Sequence, residues 1–155
     1  MANLVYAMKE SRLAEFFRGE ITAHDLAVDI QGSEEKADAV RRNIFIDEMP
    51  HQFDVTRGMA VELCDAVLSG DLKPECLRII GFALITSDGF TWAEDDLLAN
   101  IFHDWACPEV NYELSLANTE RFKSWLEGRS ECPASIGDAN RDPGRFISQT
   151  TRVRR

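Results

Sequence analysis

The sequence predicts an all-α fold: a compact helical bundle over residues 1–132, with a short strand near 43–47 as the one β alternative, and an extended arginine-containing arm over residues 133–155. Three observations lead there. Apolar residues recur at i, i+3, i+4 in successive windows, the spacing that lays them on one helix face. Start and stop signals bracket several of those windows, as with Thr56 and Gly70 or Ser115 and Gly128. Only Ile44-Phe45-Ile46 favours a strand by β-branching, and no second strand stands near it.

In chain order, Lys9 to Glu20 forms a first helix with Leu13, Phe16 and Phe17 as its stripe and Gly19 near its end. Thr22 caps a second, short helix carrying Leu26 and Ile30, which ends at Gln31-Gly32. From Ser33 the chain is charged, and the reading adopted for 37–48 is a continued helix. Pro50 breaks it. Thr56 then caps a helix to about Ser69 with Ala60, Leu63, Cys64 and Val67 inward. After Pro74, the run Cys76 to Ile85 is apolar on nearly every face, as expected of a central helix, and Gly81 within it invites a close helix crossing. Thr91 is the expected cap of the next helix, whose early turns hold Glu94, Asp95 and Asp96, the sign that a helix N-terminus favours. Leu97, Leu98, Ile101, Phe102 and Trp105 form its inner side and Pro108 stops it. Ser115 opens the last helix, with Leu116, Phe122, Trp125 and Leu126 as apolar contacts. Beyond Pro133 only Ile136, Phe146 and Ile147 are available to pack.

A chain of 155 residues with 45% apolar content builds one core without a staple. No apolar run approaches the ~18 residues of a membrane span and Met1-Ala2-Asn3-Leu4 is no export signal, so a cytoplasmic, membrane-free protein is expected. Cys64, Cys76, Cys107 and Cys132 lack any CxxC spacing, which suits reduced thiols. Net charge is −10, and because the 133–155 arm carries five arginines against two aspartates, residues 1–132 hold −13. Such a body repels nucleic acid and attracts basic partners at salt-sensitive rates. The terminal arginines suit a contact with that body better than nucleic-acid binding.

Catalytic and metal constellations are weak. His103 and Cys107 are four apart, but His24 and His51 have no matching partner in sequence, and a metal wants three or four ligands. Asp95, Asp96, Asp104 and Glu109 come with no Gly-rich phosphate loop; a hydrolase using His103 and these carboxylates is the least favoured reading. No enzyme, cofactor or metal is expected. More informative is the interleaving of Asp88, Glu94, Asp95 and Asp96 with Phe90 and Trp92, since aromatic anchors beside charges are what protein interfaces use. These six residues are the partner-binding candidates. A structural corner is assigned to Trp105, Pro108, Glu109, Asn111 and Tyr112, where one helix ends and the next is prepared.

Phe53-Asp54-Val55-Thr56, Leu63 to Leu72, Ile80 to Ile85, and His103 to Leu114 followed by Asn118 and Phe122 to Leu126, in this order, resemble small helical immunity proteins of bacterial polymorphic-toxin and contact-dependent growth inhibition systems. The likeness spans Phe53 to Gly128, with the corner as its most specific part. It implies a non-enzymatic inhibitor that binds a cognate toxin domain, often a nuclease, and blocks its active site. No interface residue carries over by motif. A non-catalytic adaptor or regulatory protein-binding domain is the alternative.

Overall fold

The computed structural model of the chain describes residues 6–39, 41–110, 112–132 and 150–154. The architecture is mixed α/β, which corrects the all-α expectation: among the described residues six helices are joined by six strands in two sheets. In order they are β1 (Met8–Lys9), α1 (Glu10–Phe17), α2 (Ala23–Ile30), β2 (Glu34–Lys36), β3 (Arg42–Asp47), β4 (Phe53–Asp54), α3 (Arg57–Ser69), α4 (Cys76–Thr86), β5 (Phe90–Thr91), α5 (Asp96–Ala106), α6 (Leu116–Leu126) and β6 (Thr150–Arg154). No helix is long and apolar enough to cross a membrane among the described residues.

The segment read as a helix over 37–48 is in fact the central strand β3. Its side chains alternate as a half-buried strand requires, Ile44 and Ile46 being fully buried. On one edge β2 pairs antiparallel through Glu34↔Ile44 and β1 follows in parallel through Met8↔Ile46. The other edge is occupied by β6, parallel, from Arg42↔Thr150 to Ile46↔Arg154. A strand has only two hydrogen-bonding edges, so β1 and β2 lie end to end opposite β6. The last five described residues of the arm are therefore a sheet strand. Ile136, Phe146 and Ile147 lie outside the described residues.

Four helices make the larger core. The N-caps of α2, α3 and α6 are Thr22, Thr56 and Ser115, each accepting a backbone N–H from three residues on. For α5 the cap is Asp95 rather than Thr91, which belongs to β5. Helix α3 packs on α6 and α4 on α5. At the second crossing Gly81 brings the backbones so close that a Cβ there would sit 2.7 Å from Trp105 Cβ and 2.8 Å from the Phe102 carbonyl oxygen. Around it runs a chain of edge-to-face and tilted rings, Trp92–Phe102–Trp105–Phe122–Trp125–Tyr112, with successive centroids 5.1–6.2 Å apart. A smaller aromatic group, Phe17, Phe53 and Phe90, holds the two-stranded β4–β5 ribbon against α1.

Candidate functional site

The six partner-binding candidates lie along one stretch of chain but not at one place: Asp88, ahead of β5, meets Arg154, whereas Trp92, Glu94 and Asp95 belong to the turn between β5 and α5. Phe90 is 4% exposed within the Phe17–Phe53–Phe90 group, so it serves the core. Trp92, half-buried, stands edge-on to Phe102 at 5.1 Å and fixes where the turn starts. Asp95 fixes where it ends: Oδ1 accepts from the Leu97 and Leu98 amides, and the carboxylate takes both Arg57 Nε (2.7 Å) and Nη2 (3.0 Å). Asp88, Glu94 and Asp96 are exposed to solvent. The turn itself is strained. Ala93 and Glu94 have φ of 45° and 60°, and the Asp95 amide donates to the Trp92 carbonyl at 2.9 Å. Two consecutive left-handed residues closed by that bond are the signature of a type I′ turn, which asparagine and glycine fill without cost. With alanine and glutamate each left-handed residue costs about 1–2 kcal/mol, held in place by Trp92 on one side and Asp95 on the other.

The Arg57 fork, followed by backbone amides, holds the Asp95 carboxyl below the usual carboxylate range. A depressed acid contributes stability that is full above its unfolded pKa and is lost as pH falls through its folded value. Arg57→Gln is therefore expected to return Asp95 toward the ordinary range and to move the acid-side loss of stability to higher pH. A carboxyl NMR titration of both proteins checks this.

The corner residues divide between core and surface. Trp105 is fully buried, Tyr112 meets Phe122 edge-on at 5.9 Å, and Pro108 follows the end of α5 at Cys107. Glu109 is exposed on a groove beside the corner; Asn111 lies outside the described residues. Among the described residues no group of three or more His, Cys, Asp or Glu side chains is placed to hold a metal. Burial pushes the Cys64 thiol up to about 12, far from a nucleophile's range.

Two features escaped the sequence reading. One is the groove beside the corner, about 1220 Å3 in volume, where Arg42 and Arg78 meet Glu34. The other is the seat of Arg152. Its guanidinium is buried and pairs with the buried Glu10, reaches Glu48 at 3.4 Å, and donates to the Ala83 carbonyl at 3.2 Å and Thr86 Oγ1 at 3.0 Å. Arg154 meets Glu48 and Asp88 nearby. The charge count drew the terminal arginines toward the acidic body, but nothing in sequence marked Glu10 as the buried acid awaiting one of them.

No family model, curated protein or solved structure matches the chain. The functional reading therefore rests on the residues themselves.

Proposed function

We propose that this protein is a non-enzymatic inhibitor of the immunity type, which binds one cognate bacterial toxin domain in the cytoplasm and covers its basic cleft. The observation that carries the reading is the strained acidic turn. Strain of this kind persists only where the surroundings impose it, and it concentrates at sites that bind. Here it holds Glu94 out in solvent beside exposed Asp96, at the N-terminal end of α5. A basic cleft would meet this edge first, and the net charge of −10 would draw it in.

The turn offers a direct test. The double substitution Ala93→Asn and Glu94→Gly supplies the residues that a type I′ turn prefers. It is expected to raise stability by about 0.5–1 kcal/mol and yet to weaken binding of the toxin domain encoded beside this gene, because the protruding carboxylate is gone. Thermal melts and calorimetry read the two effects separately. Nanomolar binding by the unaltered protein at low salt supports the proposal; no heat of binding at low salt rejects it. Unchanged affinity in the double variant would move the interface away from this turn.

A further inference from the structure

The groove lies at the other end of α5 from the acidic turn, about 16 Å away by helix rise alone. Its walls are α2, the chain between α3 and α4, and the corner, and on its floor stand Arg42 and Arg78. Both arginines donate through Nη1 to one and the same atom, Glu34 Oε1, each at 2.8 Å. This is an underused arrangement. Arg57 gives two nitrogens to two oxygens of its own carboxylate, whereas two guanidinium groups here share a single oxygen, with Glu109 as the next acid acting on Arg78. A guanidinium carries five N–H donors in a planar fork shaped for a carboxylate, so donors remain for a second anion. Arg78 is only 13% exposed, and burial makes a charge more demanding of such a partner.

Most of the exposed charge on the walls has the opposite sign: Asp71, Glu75, Glu109 and Glu113, which form no ion pair among the described residues, outnumber the lysine there, Lys73. Val28, 57% exposed, and Leu114 add apolar contact. A positive floor under acidic walls suits neither a simple anion nor a simple cation. It suits a dipolar ligand with one carboxylate and nearby positive charges. The volume selects further: about 1220 Å3 exceeds the 300–1,000 Å3 typical of small-molecule sites and accommodates several residues of extended chain.

We infer that the groove captures the C-terminal end of a peptide that bears basic side chains. The terminal carboxylate lies across Arg42 and Arg78, lysine or arginine side chains reach Glu113, Asp71 and Glu75, and apolar positions cover Val28. This site goes beyond the proposed toxin interface and does not depend on it.

The test is selection of a random hexapeptide library with free C-termini on the full-length protein, followed by synthesis of the enriched peptides in free and C-terminally amidated forms. Enrichment of lysine and arginine just before the terminus is expected. Amidation should weaken binding about tenfold or more, and Arg42→Gln should have the same effect on the free peptide. Arg42 is 43% exposed on its strand, so this variant should fold, which an unchanged melt verifies. No enrichment, or binding indifferent to amidation and to Arg42→Gln, overturns the inference.

Discussion

Replacing Arg152 with leucine is expected to destabilise the protein by about 3–5 kcal/mol, a large share of the ~5–15 kcal/mol that holds a typical domain together. The reason is the acid left behind. Glu10 is 1% exposed; one of its oxygens accepts the Met49 amide at 3.1 Å, and the other is neutralised by Arg152. Without the guanidinium a buried carboxylate keeps its desolvation cost and loses its counter-charge. The same residue ties β6 to the helical core, because its Nη1 donates to Ala83 and Thr86 in and at the end of α4. Removing the pair is a different matter. Glu10→Leu with Arg152→Leu should recover most of the loss, since a buried ion pair is often matched by apolar side chains of similar volume. A double-mutant cycle by urea unfolding measures this; additive losses would show that the two side chains do not depend on one another.

Gly81→Ala is the second large effect, with an expected cost of about 1–3 kcal/mol from overpacking and a fall in Tm of about 2–4 °C per kcal/mol for a chain of this size. An alanine normally favours a helix over glycine by roughly 1 kcal/mol, so propensity alone predicts the opposite sign. Packing decides. The new methyl would meet Trp105 Cβ at 2.7 Å, the Phe102 carbonyl at 2.8 Å and the Ala106 amide nitrogen at 3.1 Å. None of these is the tip of a flexible side chain, so relief requires α5 to move off α4 and the ring chain through Trp105 to move with it. Gly58, in α3, is the control. A Cβ there would find only Thr56 Oγ1, at 3.8 Å, so Gly58→Ala should stabilise by about 0.5–1 kcal/mol. Thermal melts of the two variants must shift in opposite directions.

Helices were legible where a local pattern carries the fold. Thr56 and Ser115 announce α3 and α6, and the all-round apolar run of α4 announces a buried centre whose glycine does permit a close crossing. The sheet was not legible, for a topological reason. The strand β3 takes its parallel partners from Met8–Lys9 and from Thr150–Arg154, far apart in the chain, where no hairpin turn joins them, and its antiparallel neighbour β2 is only Glu-Glu-Lys, which shows no apolar alternation. β1 and β4 have two residues each, too few for a period to show. At the acidic turn, composition picked out a stretch of charge and aromatic rings but gave no sign of the separate roles within it. Phe90 went to the core, Asp95 to the cap and to Arg57, and the left-handed pair Ala93-Glu94 breaks the usual turn chemistry, which is why Thr91 looked like the cap. The Arg42–Glu34–Arg78 groove joins residues from two strands and a helix, and such a meeting has no signature in linear spacing.

The most direct measurement of the central claim is the association rate of the toxin domain with a triple variant, Asp88→Asn, Glu94→Gln and Asp96→Asn, across a range of salt. Asp88 meets Arg154 only at 3.4 Å on the surface and Asp96 is an exposed first-turn acid, so the variant should melt only slightly below the unaltered protein. If the acidic turn is the docking surface, association at low salt falls by about tenfold or more and its salt dependence flattens, as loss of electrostatic steering requires. An association rate and salt slope equal to those of the unaltered protein would contradict the account.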